Sequence, residues 1–502
     1  MFNSKSIQGI IVLVLGLFIA IWLGLSIVTN QTETILQIVA AAVLIVCIFL
    51  GKKIWLLVPF MGALSLQLRI PGQPNSLLLG QALFLGFCIQ LFLMRKLRYK
   101  LAWTELEFWI MILTLFVVQV YVRNPVGVNI FGGDTVGGKG YFLYALALTS
   151  TLLFCVLRVP ANELKWILPL SIFGGLMNAA ISVLGTLIPT IGYYTGSGYM
   201  ASTDNGYENQ VVDSQSTTRI LFLGVFGNNV SLWVASYISP LKACLRPLLA
   251  VLILAALAAA MLSGFRNNLA SVGLTLLLGI AYRSGFSGVV ISVLGGIGGL
   301  ALIAVVNTMH PLPPNIQRSL TFLPGTWDER YKLDAEGSTE WRVEIWREVL
   351  LTDRWIQNKL LGDGLGYSSA ELAAQKNSRL GARAGISGFD TFRDSILSNG
   401  DYHSGPVSTI RVIGYIGLIF FLLAQIRLAV HAHRQIIRCR GTEWLPLALF
   451  IGIPMVWGPL FFALIFGDFK TNAATFLLSV GMMRLLENNL PLPAYAKRSR
   501  KP

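Results

Sequence analysis

The sequence is poor in charge. Charged residues make up only 13% of the 502 residues, while hydrophobic residues make up 54%. A soluble domain usually carries about 25% charged residues. Apolar runs of roughly 17–25 residues, long enough to cross the ~30 Å hydrocarbon core of a bilayer as a helix, recur along nearly the whole chain. This composition excludes a soluble globular protein and predicts a multi-span membrane protein.

Cysteine and histidine are also scarce. The five cysteines form no CxxC pair, so neither a disulfide framework nor a zinc site is supported. The sequence has no HExxH, no paired acidic metal motif and no clear serine triad. We therefore expect that any chemistry runs without a metal ion or another cofactor.

Fourteen segments have the length and apolar character of transmembrane helices. The first follows Lys5 and lacks a small-residue cleavage site, so it is interpreted as a retained span rather than a signal peptide. The fold class predicted is an all-α polytopic membrane protein with about 12–14 transmembrane helices. The predicted spans are 8–28, 33–50, 53–69, 75–95, 104–122, 140–158, 164–189, 218–239, 243–263, 267–283, 286–307, 406–430, 444–466 and 471–486.

The net charge of +15 comes mostly from short basic clusters between these spans. No RNA-binding signature or continuous basic face is present, so nucleic acid is not an expected partner. With the N-terminus inside, the inner turns and the C-terminal tail hold 21 Lys and Arg, against 6 in the short outer loops. Such a bias marks the cytoplasmic side. Both termini are therefore predicted to be cytoplasmic.

This orientation divides the chain into four parts. Residues 1–190 are predicted to be N-terminal transmembrane helices, and residues 191–307 central ones with Arg219 and Arg266 on the outer side. Residues 308–405 form one large extracytoplasmic loop between the eleventh and twelfth predicted spans. Residues 406–502 are C-terminal transmembrane helices with a basic cytoplasmic tail. Because loops of this length without a function are uncommon, the loop is a candidate for the functional site.

Four side chains could converge on the outer surface: Arg219, Arg266, Arg342 and His403. Arginine presents a planar fork of donors that suits phosphate oxygens. Histidine titrates near neutrality and can take a proton from a hydroxyl group. Each residue also has a structural interpretation, since the arginines can serve as interfacial anchors or turn charges and His403 as a loop residue with its hydrogen bonds satisfied.

Three further residues are candidates for substrate contact. Asn228 and Asn229 are polar groups inside a predicted span, where helix packing is an equal alternative. Trp346 lies four residues after Arg342 on a predicted helix over 338–351 with Ser338 as its cap, so the two share a face. The arginine could simply pack on this tryptophan.

Several motifs are given structural interpretations. The four tryptophans of the long loop are expected to pack a small subdomain, and the glycine-rich segment 358–367 lacks a phosphate-loop lysine and is predicted to be a turn. His310 is expected in a turn. His431 and His433 fall in a basic turn and are expected to be solvated.

In the motifs that carry these residues, the chain resembles the O-antigen ligase and O-antigen polymerase superfamily, bacterial enzymes that move glycans from a lipid pyrophosphate. The resemblance runs from about Arg219 to the C-terminus, with four motifs in the family's order and on the side that the charge bias requires. Those motifs are TRILFLGVFGNNVSLWVA, MLSGFRNNLASVGL, STEWRVEIWREVLLTDRWIQNKLLGDGLGY and YHSGPVSTIRVIGYIGL.

The resemblance implies a metal-independent, inverting glycosyltransferase in a bacterial inner membrane. Its donor would be a glycan on undecaprenyl pyrophosphate, and its acceptor a glycan or lipid-linked glycan embedded among membrane lipids. Arg219, Arg266 and Arg342 would bind the pyrophosphate, and His403 would orient or deprotonate the acceptor hydroxyl. O-antigen ligases, surface or exopolysaccharide polymerases and protein O-glycosylating variants share this arrangement, and the sequence does not separate them.

A polysaccharide transporter or lipid-linked sugar flippase is the alternative function. It would explain the many spans equally well. A transporter is expected to bury charged residues in the middle of its spans, whereas these spans hold few, and it leaves the large outer loop unexplained.

Overall fold

A computed structural model provides the structure of the chain. It describes residues 47–69, 75–127, 137–196, 219–366, 397, 400 and 402–490. The described residues of 47–55 and 86–97 belong to one compact unit, and those of 56–85 and 98–490 belong to a second. All contacts discussed below lie within the second unit.

The described secondary structure is helical, with only two isolated β-bridges. Four short elements also occur, the 3₁₀ helix Gly51–Leu56, the helical turns Ala161–Leu164 and Pro240–Ala243, and Pro189–Thr195, which is labelled α6. The other helices are α1 (Leu57–Leu64), α2 (Ser76–Leu93), α3 (Glu105–Arg123), α4 (Lys139–Val156), α5 (Ile167–Leu187), α7 (Leu221–Tyr237), α8 (Pro247–Leu262), α9 (Arg266–Met309), α10 (Pro314–Leu320), α11 (Glu329–Leu351), α12 (Gly405–Cys439), α13 (Leu445–Leu464) and α14 (Phe469–Asn489).

Eight helical stretches of the described residues are long and apolar enough to cross a membrane. The fold is therefore that of a polytopic helical membrane protein. The stretches are Cys47–Leu64, Ser76–Leu93, Glu105–Arg123, Lys139–Val156, Ala161–Leu187, Arg266–Met309, Gly405–Cys439 and Leu445–Leu464.

Eight is fewer than the fourteen spans predicted, for identifiable reasons. The predicted span 8–28 and most of 33–50 lie outside the described residues. Helices α7 and α8 form where spans were predicted but are shorter, at 17 and 16 residues. Helix α14 also forms at its predicted place, and its Lys470, Arg484 and Glu487 make it more polar than the others. Helix α9 contains two of the predicted spans.

Helix α9 folds back on itself at Gly285, where φ is 73° and ψ is −166°. A straight helix of its 44 residues would be about 66 Å long. At its start, however, Arg266 donates to the hydroxyl of Thr321, and near its end Asn307 donates to the carbonyl of Thr326. Thr321 and Thr326 are at most about 18 Å apart along the chain. The break lies between the predicted spans 267–283 and 286–307, so these form two separate arms.

Helix α7 and the first arm of α9 run side by side in the same direction. At their N-terminal ends, the backbone N–H of Ile220 donates to the carbonyl of Ser263, three residues before α9 begins. At their C-terminal ends, the guanidinium Nε of Arg283 donates to the carbonyl of Ala235 over 3.2 Å. Their two starts therefore share one end of the bundle.

Helix α12 runs in the same direction as α7 and the first arm of α9. Near its C-terminal end, Nδ1 of His433 lies 2.9 Å from the hydroxyl of Tyr282, which is in the last turn of the first arm of α9. Helix α12 also packs against α13, α14 and α3, and α14 packs against α4. The residue that precedes α12, Ser404, caps it by accepting the backbone N–H of Val407. The predicted outer residues Arg219, Arg266 and His403 thus stand at the N-terminal ends of three parallel helices.

Helix α12 is broken near its start at Gly414, where φ is 74° and ψ is 178°. A break frees backbone groups that a continuous helix would pair. Here residues 358–365, which we call the insert segment, supply the missing partners. The backbone N–H of Tyr415 donates to the carbonyl of Lys359 over 2.8 Å. A Cβ on Gly414 would collide with the carbonyl oxygen of Leu360, so only glycine fits at this position.

Two side chains, Asp363 and Arg123, hold the backbone of the insert segment. Asp363 accepts the backbone N–H of Gln357 over 2.7 Å and that of Asn358 over 2.9 Å. The guanidinium of Arg123, at the end of α3, donates to the carbonyls of Leu361 and Gly362. The glycine-rich stretch is therefore a turn, as predicted, and its glycines allow the close backbone approach to α12.

We expect Gly414→Ala to destabilise the protein. The backbone conformation alone costs a residue with a side chain about 1–3 kcal/mol, and the collision with Leu360 adds to this cost. The measurement is the thermal unfolding midpoint of the purified protein in detergent. Gly458→Ala in α13 is the matched control, because its Cβ meets nothing within 4 Å. Equal midpoints for the two variants would contradict a tightly docked insert segment.

Candidate functional site

Three arginines gather around the turn between α8 and α9. Arg219 packs against this turn, with its guanidinium carbon 5.6 Å from the centroid of the Phe265 ring. Arg266 is the first residue of α9. Arg318, on α10, donates to the carbonyl of Gly264 over 2.5 Å. We call Arg219, Arg266 and Arg318 the arginine cluster.

The cluster carries an excess of positive charge. The side chain of Arg318 is 6% exposed and forms an ion pair with Asp334 at 2.5 Å. Burial, and then the positive charge of Arg219, lower the pKa of Arg318 to about 10. Since this value is still well above neutral pH, Arg318 keeps its charge. Burial lowers the pKa of Arg266, and the negative charges of Asp334 and Glu336 oppose this effect. The three arginines thus face two carboxylates.

The helix that carries Asp334 begins earlier than predicted. We predicted a helix over 338–351 capped by Ser338, but α11 spans Glu329–Leu351 and its cap is Asp328. The carboxylate of Asp328 accepts the backbone N–H of Arg330 over 3.0 Å, and an acidic residue at a helix start is also favoured by the helix dipole. The additional turns bring Asp334 onto the same helix as Arg342.

His403 lies between two aromatic rings. Its imidazole is 5.9 Å from the ring of Trp341 on α11 and 5.8 Å from that of Phe466, between α13 and α14. Its φ of 50° is left-handed, a region in which histidine, asparagine and aspartate are enriched among residues with a side chain. The loop thus turns sharply at His403 before Ser404 caps α12.

Helix α11 connects the arginine cluster to His403. Asp334 and Trp341 are seven residues apart and so lie on the same face of the helix. Their spacing along the helix axis is about 10 Å. Asp334 pairs with Arg318 of the cluster, and Trp341 contacts the His403 ring. The cations and the histidine therefore stand on one side of a single helix.

Arg342 follows Trp341 directly on α11. Of the other three residues predicted to form the site, Arg219 and Arg266 lie at the turn between α8 and α9, and His403 contacts Trp341. Whether all four line one cavity stays a prediction.

Trp346 and its neighbours pack the loop region. The indole N–H of Trp346 donates to the carbonyl of Tyr402 over 2.7 Å, which fixes the residue before His403. Trp341, Trp346 and Trp355 belong to one hydrophobic cluster with the fully buried Ile345. The expected packing role of these three tryptophans is confirmed, and the Trp346 hydrogen bond holds the backbone next to His403.

Asn228 and Asn229 are found at helix contacts. The Asn228 amide donates to Oδ1 of Asn268 on α9 over 3.5 Å. The Asn229 amide nitrogen lies 3.1 Å from where a Cβ on Gly175 would stand, so α7 packs closely on α5 there. Of the two interpretations, these contacts favour helix packing.

Two charged residues lie in surroundings that the sequence does not predict. Arg318 is not among the predicted site residues, because the sequence around it carries no motif that predicts burial. His431 was expected to be solvated, which is wrong, since its side chain is only 19% exposed. Its Nδ1 lies 3.2 Å from Glu487 and its Nε2 lies 3.7 Å from Glu105, because α3 and α14 both turn acidic residues toward α12.

The fold and these contacts define a multi-pass helical membrane protein with a cluster of cations and a histidine at one end of its helices. A comparison with known protein families found no family model that matches the chain, and no curated protein matches it.

Proposed function

We propose that this chain is an inverting glycosyltransferase that moves a glycan from undecaprenyl pyrophosphate to an acceptor hydroxyl. The observation that carries the proposal is the arrangement along α11, where Asp334 contacts the arginine cluster and Trp341 contacts His403. Asp334 and Trp341 lie about 10 Å apart along the helix axis. Helix α11 thus links a candidate donor site for an anion to a group able to accept a proton.

The arginines stabilise the leaving group. As the bond between the anomeric carbon and the pyrophosphate oxygen breaks, negative charge develops on the phosphate oxygens. Guanidinium groups already in place stabilise this charge without reorganising. Arg219 and Arg266 bind the pyrophosphate, and Arg318, fixed by Asp334 and the carbonyl of Gly264, adds its charge to the same site. Arg342 is the third phosphate ligand that we propose.

His403 acts on the acceptor. Its imidazole takes the proton from the acceptor hydroxyl as the hydroxyl oxygen bonds to the anomeric carbon. Attack comes from the face opposite the leaving pyrophosphate, so one displacement inverts the anomeric configuration. Apolar surfaces between the spans hold the polyprenyl chain, and the reaction takes place at the outer face of a bacterial inner membrane.

A transporter or flippase remains the second candidate, and one observation favours it. Helices α9 and α12 are interrupted at Gly285 and Gly414, and discontinuous helices are common at the substrate sites of transporters. At Gly414, however, the insert segment fills the interruption with its own carbonyls. A transported substrate could bind at this interruption only by displacing the insert segment.

Proteoliposomes separate the two functions. The purified protein is reconstituted with a fluorescent lipid-linked glycan and an acceptor present only outside the vesicles. A transferase attaches the label to the acceptor and leaves the donor inside the vesicles untouched. Delivery of inner donor to the outside, without label on the acceptor, would support the flippase and overturn our proposal.

A further inference from the structure

A cavity of about 340 Å³ opens at the other end of the helices from the arginine cluster. It is bounded by the end of α7, the turn around Pro240–Ala243, the end of the first arm of α9 and the turn between α12 and α13. Liquid water occupies about 30 Å³ per molecule, so the cavity has room for a group the size of a lipid headgroup.

Four cations line this cavity, Lys242, Arg246, Arg283 and Arg440, and none of its lining residues in the described part of the chain is acidic. Lys242, Arg246 and Arg440 are exposed, and Arg283 is half-buried and held by the carbonyls of Ala235 and Ser236. We call these four residues the basic pocket. Glu443, the acidic residue of the neighbouring turn, pairs with Lys165 at 3.0 Å.

The basic pocket is separate from the proposed transferase site. Arg219 precedes α7, whereas the pocket begins at Tyr237, where α7 ends. Seventeen helical residues span about 26 Å, so a single ligand headgroup does not reach both sites. The two sites therefore lie toward opposite faces of the membrane.

The surface next to the basic pocket is apolar. Leu245, Leu248 and Val251, at and after the start of α8, are 84%, 75% and 60% exposed. In a membrane protein, such side chains face lipid tails. A cluster of cations beside a lipid-facing surface is the arrangement that binds anionic headgroups between transmembrane helices.

We propose that the basic pocket binds a phosphate group, carried by an anionic phospholipid whose acyl chains lie along the start of α8. The guanidinium groups of Arg246 and Arg440 offer paired donors to the phosphate oxygens, and the half-buried Arg283 lines the inner wall of the basic pocket. A free polyphosphate carries the same chemistry. It lacks the chains that would cover Leu245 and Leu248.

Binding is measured on the purified full-length protein in neutral detergent, by titration with short-chain phosphatidylglycerol, short-chain phosphatidylcholine and inorganic pyrophosphate. Each cation near a membrane surface contributes about five-fold in affinity for an anionic lipid, so Arg246→Gln with Arg440→Gln should weaken phosphatidylglycerol binding about 25-fold. Arg246→Lys with Arg440→Lys should keep most of the binding. Arg98→Gln with Lys100→Gln, an equal loss of exposed charge elsewhere, is the control.

Phosphatidylglycerol binding that falls in the glutamine pair and not in the control supports the lipid site. Pyrophosphate binding with the same dependence on Arg246 and Arg440, and no preference for phosphatidylglycerol, supports the phosphate site with a soluble ligand. Equal affinities in the glutamine pair, the control and the unaltered protein would overturn the proposal. Phosphatidylcholine binding as tight as phosphatidylglycerol binding would also overturn the proposal. Matching unfolding midpoints show that the exposed substitutions leave the fold intact.

Discussion

Replacing His403 with alanine is expected to reduce glycan transfer about 10²–10⁴-fold, the usual contribution of general-base catalysis. Binding of the lipid-linked donor should persist, because the arginines and the apolar surfaces hold it. The measurement is transfer from a purified lipid-pyrophosphate donor, with donor binding determined separately on the same preparation.

Alanine also disturbs the backbone, since His403 has a φ of 50°. His403→Asn is therefore the matched variant, because asparagine adopts the left-handed region readily and cannot take up the proton. We expect His403→Asn to lose transfer as strongly as His403→Ala while unfolding at the same temperature as the unaltered protein. Near-normal transfer by His403→Asn would make His403 a turn residue, and loss of donor binding would move it into the phosphate site.

Replacing Arg266 with lysine is expected to reduce transfer about 10²–10³-fold, comparable to losing one donor that stabilises transition-state charge. Lysine keeps the positive charge but loses the planar fork that binds two phosphate oxygens at once. It also shortens the reach to the hydroxyl of Thr321, which Arg266 contacts over 3.2 Å. The measurement is kcat and KM for the donor at saturating acceptor.

Arg330→Lys provides the control for Arg266→Lys. Arg330 lies on α11, away from the turn that carries Arg266, and its side chain is 60% exposed and pairs with Asp328 at the helix start. This substitution should leave transfer unchanged. If Arg266→Lys turned over donor as fast as Arg330→Lys, Arg266 would be only a charge at the turn between α8 and α9.

Most of the helical architecture was predictable from the sequence because bilayer thickness dictates the length of apolar runs. The glycine at 285 separated two predicted spans, and the structure interrupts α9 there. The order of spans predicted Arg219, Arg266 and His403 on one side of the membrane, and in the structure they lie at the N-terminal ends of α7, α9 and α12.

The contacts that build the candidate site were not predictable in this way, because they join residues far apart in sequence. Arg318 reaches the carbonyl of Gly264, 54 residues away, and no local pattern indicates this. The insert segment was predicted as a turn, but its docking into the interruption at Gly414 depends on the fold of α12. The start of α11 was misplaced because Ser338 and Asp328 are both good caps, and only the structure shows which one is used.

The half-buried position of His431 was not predictable either, because its partners are far away in sequence. Its own surroundings in sequence are basic, which favours a solvated turn. Its acidic neighbours Glu105 and Glu487 come from α3 and α14, and only helix packing brings them to it. Local charge patterns therefore do not predict which side chains pair between helices.

The most direct test of the central claim is glycan transfer by the purified protein in detergent, where no membrane separates two compartments and transport cannot be measured. The reaction contains EDTA, a lipid-pyrophosphate donor and an acceptor, and NMR gives the anomeric configuration of the product. We expect a new glycosidic bond of inverted configuration, formed at an undiminished rate in EDTA and lost with His403→Asn. A preparation that binds the donor yet forms no glycosidic bond, or one that retains the donor configuration, would contradict this expectation.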